Sequence, residues 1–278
     1  MQLRLLRVLL AALAPLSLLA APSAPAPATQ APTIFIAGDS TAANKPKPEH
    51  PERGWGQLLP EFVLSPARVD NRALNGRSTK SFLDEKRWEK LLSDLRPGDW
   101  VIIQFGHNDE KLDKPKVGAP ARGAYRDNLL RFIREVREKN AHPILATSVA
   151  RRKWDAAGAT LVDTHGDYPV VVRELAAEQK VPLLELNRLT TRMEEEAGVE
   201  DSKKFHLWFA PGEHPSIPKG VQDDTHYSEL GARRVAALAA GEIHRLRLPL
   251  AAWIRPPAST PAPAANPAPR RASPPNRK

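Results

Sequence analysis

Five short strand candidates, separated by stretches of helical pattern, leave few folds open to this chain. They are Thr33 to Ala37, Val69 to Leu74, Trp100 to Phe105, Pro143 to Val149 and Val181 to Leu186. Ile34-Phe35-Ile36 and Val101-Ile102-Ile103 have no polar alternation, as expected of strands buried on both faces of a parallel sheet. Between them lie helical patterns at Gly54 to Val63, Trp88 to Leu95, Tyr125 to Lys139 and Tyr168 to Gln179. A charged, exposed helix is expected over Thr190 to Ala197, and a final amphipathic one over Ser228 to Leu246. Phe205 to Val221 carries three prolines and two glycines and reads as a long functional loop. Strands alternating with helices predict an α/β fold, a three-layer α/β/α sandwich around a five-stranded parallel sheet.

Composition sets the limits of that domain. Residues 1–24 read as a secretory signal, with Arg4 and Arg7 ahead of a leucine- and alanine-rich stretch interrupted by Pro15. That stretch is short for a membrane span, so no stable membrane insertion is expected. Residues 25–32 form a Pro/Ala linker, 33–254 the ordered domain, and 255–278 a Pro/Ala/Arg tail without apolar periodicity, read as disordered. Of the net charge of +9, two come from Arg4 and Arg7 and five from Arg255, Arg270, Arg271, Arg277 and Lys278, leaving +2 for the body. A nucleic-acid-binding face is therefore not expected. With no cysteine, the chain has neither a disulfide framework nor a thiol nucleophile. The expected location is secreted or periplasmic.

Three strands end in polar, glycine-containing turns: Gly38-Asp39-Ser40, Asn75-Gly76-Arg77-Ser78 and Gly106-His107-Asn108-Asp109. In a parallel sheet all three lie on one edge, where open α/β sheets bind ligands. That edge then holds a hydroxyl, backbone N–H groups and a side-chain amide, the parts of an acyl-transfer site. Ser40 has two readings at this point, nucleophile or helix N-cap. Asp223-Asp224-Thr225-His226 supplies a base, since Asp223 can reach back to His226 Nδ1 and leave Nε2 for the serine. The competing readings are a capping turn, or a cation held by Asp223, Asp224, His226 and one of His206 and His214.

These four blocks, in this order, resemble those of the SGNH (GDSL-type) hydrolases. Gly-Asp-Ser-Thr, Gly-Arg-Ser, Gly-His-Asn-Asp and Gly54-Trp55-Gly56 resemble the rhamnogalacturonan acetylesterases within that superfamily. The resemblance covers roughly Thr33 to Ile243 and implies a flavodoxin-like sheet. It implies Ser40 as nucleophile, His226 as general base and acid, and Asp223 as its orienter. The Ser40 N–H, the Gly76 N–H and the Asn108 amide would form the oxyanion hole. One departure is Asp224, where family members commonly carry Asn or Gly; a second carboxylate there would raise the His226 pKa. Arg77, His107 and Trp208 are candidate substrate contacts, Trp208 either stacking on a sugar or anchoring its loop. The implied activity is removal of acetyl groups from plant cell-wall polysaccharide, most of all rhamnogalacturonan, by a cofactor-free and metal-free monomer. A deacetylase of xylan or another glycan, a general carboxylesterase and a non-catalytic carbohydrate-binding envelope protein are the alternatives.

Overall fold

A computed structural model describes residues 30–256. The expected signal 1–24, most of the linker 25–32 and the tail beyond residue 256 lie outside the described residues. The strands are β1 (Thr33–Gly38), β2 (Glu52–Arg53), β3 (Arg68–Asn71), β4 (Trp100–Gln104), β5 (His142–Ala146), β6 (Leu183–Leu184), β7 (His206–Phe209) and β8 (Val221–Ser228). The helices are α1 (Trp55–Leu58), α2 (Thr79–Asp84), α3 (Arg87–Asp94), α4 (Arg126–Glu138), α5 (Asp167–Gln179), α6 (Leu186–Asp201) and α7 (Glu229–Arg245). No helix among the described residues is long and apolar enough to cross a membrane.

Five strands form the expected parallel sheet, in the order β3-β1-β4-β5-β6. Its two faces follow from the period-two alternation of strand side chains. Ile34, Ile36, Ile102, Ile144 and Leu184 point to one face, where α7 packs Val235, Ala239 and Ile243. Phe35, Ala37, Val101, Ile103 and Leu145 point to the other, against Phe82 of α2, Trp88 of α3, Phe132 of α4 and Val171 of α5. Both faces are therefore covered, which explains strands with no polar alternation. After β1 the chain steps to one side for β3 and returns past it for β4. The order thus reverses between β1 and β4, and the carboxyl ends of these two strands flank the crevice that open sheets use for ligands.

Two expectations need correction. Phe205 to Val221 is a loop only over 210–220: its start forms β7, which pairs antiparallel with β8 and, with β2, makes a second three-stranded sheet. The prolines and the glycines Gly212 and Gly220 lie in the connection between β7 and β8. The helix expected over Thr190 to Ala197 is longer, Leu186–Asp201, and buries Leu186, Thr190, Met193 and Glu194. A buried glutamate there is tolerated because His206 Nε2 lies 2.8 Å from its Oε1.

Candidate active site

β1 ends at Gly38 and delivers Asp39 and Ser40 to the crevice. Asp39 is fully buried and ties the turn down, its Oδ1 accepting from Thr41 N at 2.9 Å and Thr41 Oγ1 at 2.8 Å. Burial opposes its charge, but His107 and these hydrogen bonds outweigh it and lower the Asp39 pKa to about 2. No helix begins at Ser40, since the next starts at Trp55, so the N-cap reading falls away. The turn after Ser40 packs directly on Gly54: a Cβ there would lie 2.2 Å from Ala43 O and 2.4 Å from Ala42 C. This close approach is the physical reason for glycine beside Trp55.

The candidate base, His226, arrives from β8 through an interruption of its pairing. Leu207 pairs with Asp223, yet the adjacent His206 pairs with Tyr227. Asp224, Thr225 and His226 are therefore extra residues pushed out of the ladder. Asp223 staples this bulge, its Oδ1 accepting from Thr225 N at 2.8 Å and His226 N at 2.9 Å. Its other oxygen lies 2.8 Å from His226 Nδ1, and His226 Nε2 lies 2.9 Å from Ser40 Oγ. One carboxylate thus shapes the backbone and orients the ring.

The oxyanion candidates come from three loops that two side chains hold together. Asn108 Nδ2 donates to Arg77 O at 3.0 Å, joining the turns after β3 and β4. Lys45 Nζ donates to Ser40 O at 2.6 Å and Asn75 Oδ1 at 2.7 Å, joining the turns after β1 and β3. Gly76 has φ of +77°, a conformation that costs glycine little and other residues more. Among the described residues, the N–H groups of Ser40 and Gly76 have no protein acceptor, which leaves both for a ligand oxygen.

Charge tunes the pair. Burial favours neutral His226, but its hydrogen bond to Asp223 and the charges of Asp223 and Glu52 outweigh burial and raise its pKa above 6.5. Burial likewise opposes the Asp223 charge, and the bonds from His226 hold its carboxyl well below the usual carboxylate range. A base must be neutral to accept a proton, so kcat/KM should rise with pH through the His226 pKa. Glu52→Gln removes a charge that favours imidazolium and should move this acid limb to lower pH. A pH–rate profile of the two proteins checks it, and an unmoved limb would remove Glu52 from the site.

The other candidates are placed differently. Asp224 turns away from His226: its Oδ1 accepts from Arg152 at 2.9 Å and Trp208 Nε1 at 2.8 Å. The second carboxylate acting on His226 is therefore Glu52, not Asp224. His107 is buried against Asp39, with its Nδ1 3.3 Å from Asp39 Oδ2, and packs edge-on against His165. It supports the floor and is not an open substrate contact; burial lowers its pKa. Arg77 lies beside the site, its guanidinium held by Glu85 and by Asn75 O. Trp208 lies in β7, half-buried, with Arg152 and Lys203 over its ring at 5.0 and 4.9 Å. The cation reading loses its ligands: His206 is engaged by Glu194, His214 by Ser216 and Asp224 by Arg152. Among the described residues, no three His, Asp or Glu side chains are grouped to hold a metal ion. Lys45 and Glu52 were not legible as site residues, because both fall in the charged, proline-rich stretch between β1 and α1.

The chain is similar to known proteins over most of the described residues. The profile of the GDSL-like Lipase/Acylhydrolase family matches residues 36–234. Rhamnogalacturonan acetylesterase RhgT of Bacillus subtilis is 42% identical over 217 residues, covering 78% of this chain and 91% of its own. The probable rhamnogalacturonan acetylesterase YesY of the same organism is 35% identical over 78% of this chain and 94% of its own. Among solved structures, the acetylxylan esterase Axe2 of Geobacillus stearothermophilus superposes with a TM-score of 0.56 at 17% identity, covering 76% of this chain and 94% of its own, a likeness of fold. With its family profile, its relatives and its parallel sheet in agreement, the chain belongs to the GDSL-like lipase/acylhydrolase family and is a carboxylic ester hydrolase.

Proposed function

We propose that this chain is an exported serine esterase that removes acetyl groups from plant cell-wall polysaccharide, with rhamnogalacturonan as its substrate. The observation that carries the mechanism is the continuous line from Asp223 Oδ2 through the His226 ring to Ser40 Oγ, at 2.8 and 2.9 Å. The substrate class rests on the two relatives named as rhamnogalacturonan acetylesterases, and export on the character of residues 1–24.

Ser40 Oγ attacks the acetyl carbonyl while His226 Nε2 takes its proton. Asp223 keeps the other ring proton on Nδ1 and faces the imidazolium that results. The carbonyl oxygen becomes an oxyanion and receives hydrogen bonds from Ser40 N, Gly76 N and Asn108 Nδ2. Collapse expels the sugar oxygen, to which His226 returns the proton. Water then attacks the acetyl-serine by the same base catalysis and releases acetate.

Acetate release from a panel of acetylated rhamnogalacturonan, xylan and small esters tests the substrate, and release from xylan alone would overturn the pectic assignment. Labelling by a serine-directed phosphonate, located by mass spectrometry, tests the nucleophile independently of substrate. Asn108→Ala should lower kcat by about 10²–10³ with a smaller change in KM, because its amide faces full charge only in the transition state. A lowered thermal midpoint with kcat within about threefold, below ~1 kcal/mol of barrier, would make Asn108 a turn residue only.

A further inference from the structure

Asn108 is useful as an oxyanion donor in only one of its two amide orientations. Rotated by half a turn, it would present Oδ1 to the developing negative charge. Two contacts choose between them. Asn108 Oδ1 accepts from Lys111 Nζ at 2.7 Å, and Asn108 Nδ2 donates to Arg77 O at 3.0 Å. An ammonium has donors only and a carbonyl acceptors only, so the flipped amide would meet a like partner at both ends.

We infer that Lys111 is a positioning residue of the oxyanion hole: its ammonium fixes the Asn108 amide and polarises it, so that the second N–H of Nδ2 is aimed at the ester oxygen and strengthened. This rests on the reading of Asn108 as an oxyanion donor. Proton donation from Lys111 to Oδ1 draws electron density from the amide nitrogen, and hydrogen bonds in such a chain reinforce one another. A charged donor makes the contact roughly twice as strong as a neutral one. The lysine is held for this role. Its backbone N–H donates to Asn108 O at 3.1 Å, and the stem is partly buried. The neighbouring carboxylate of Glu110 does not divert it, because that group is taken by Arg151 and by His165 Nδ1.

The charges that bear most on Lys111 are Lys114 on its own loop, Arg151 after β5, Glu110 beside it and Asp39 after β1. Burial first, then Lys114 and Arg151, lower its pKa below the ordinary 10.5, against the pull of Glu110 and Asp39. Activity should therefore fall on the alkaline side as Lys111 loses its proton. Arginine keeps its charge over that range.

The test uses hydrolysis of a small acetyl ester, with thermal melts beside it. Lys111→Met should lower kcat about tenfold, ~1.4 kcal/mol of barrier, with KM within about twofold. Lys111→Arg should restore most of kcat and move the alkaline limb to higher pH. In an Asn108→Ala background, Lys111→Met should change kcat by less than about twofold, because its partner is gone. An equal loss in both backgrounds, or a loss confined to KM, would overturn the role. A wild-type protein without esterase activity would instead remove the reading on which the role rests.

Discussion

Ser40→Ala should lower kcat on a small acetyl ester by about 10⁴–10⁶, the range seen when a triad nucleophile is removed. Without Oγ no acetyl-enzyme forms, and the neighbouring donors can only assist direct attack by water. The fold should hardly register the change. Ser40 occupies a turn secured by other atoms: its carbonyl is held by Lys45 Nζ, and the turn is tied through Asp39 to Thr41. Alanine keeps the Cβ and loses only the contact to His226 Nε2. One hydrogen bond contributes a net ~1 kcal/mol, which is about 2–4 °C of melting temperature for a domain of this size. The same variant should lose labelling by a serine-directed phosphonate. Undiminished acetate release by a folded Ser40→Ala protein would exclude Ser40 as the nucleophile.

What could be read in the sequence follows from how each element is buried. β1 and β4 lie in the sheet interior with helices over both faces, so Ile34-Phe35-Ile36 and Val101-Ile102-Ile103 have no polar member. The blocks at Gly38 and Gly106 could be read for the same reason: each follows an apolar run whose end fixes its place at the crevice. The β7–β8 hairpin was hidden because most of its residues are only partly buried and its connection is rich in proline. Without that pairing the bulge presenting His226 looked like a turn ahead of α7. The buried face of α6 was hidden because Glu194 reads as a surface charge until His206 is placed against it. His107 misled in the opposite sense. A histidine beside Asn108 suggested a ligand contact, yet Asp39 and His165 enclose it below the surface. Lys45 and Lys111 reach Ser40 O and Asn108 Oδ1, contacts that depend on tertiary structure and leave no mark in composition.

Asp223→Asn should lower kcat by about 10⁴ at neutral pH, close to the loss found when other triads lose their carboxylate this way. The substitution separates the two tasks of this side chain. The asparagine oxygen can still accept from Thr225 N and His226 N, the bonds that staple the bulge. Its NH2 group then faces His226 Nδ1, where Asp223 Oδ2 stood. A donor at that place forces Nδ1 to become the acceptor, so the ring proton moves to Nε2, opposite Ser40 Oγ. A protonated Nε2 cannot take the serine proton. The imidazolium also loses its facing charge, so the His226 pKa should fall and the acid limb of the residual activity should move down, because Asp223 raises that pKa. Melting should stay near wild type, whereas Asp223→Ala should add a thermal loss by removing the staple as well. Asp224→Asn is the control: its contacts run to Arg152 and Trp208, and kcat should stay within about threefold, under ~1 kcal/mol of barrier. A loss of less than about tenfold in Asp223→Asn, ~1.4 kcal/mol or below, would leave Asp223 as a backbone staple and require another group to orient His226.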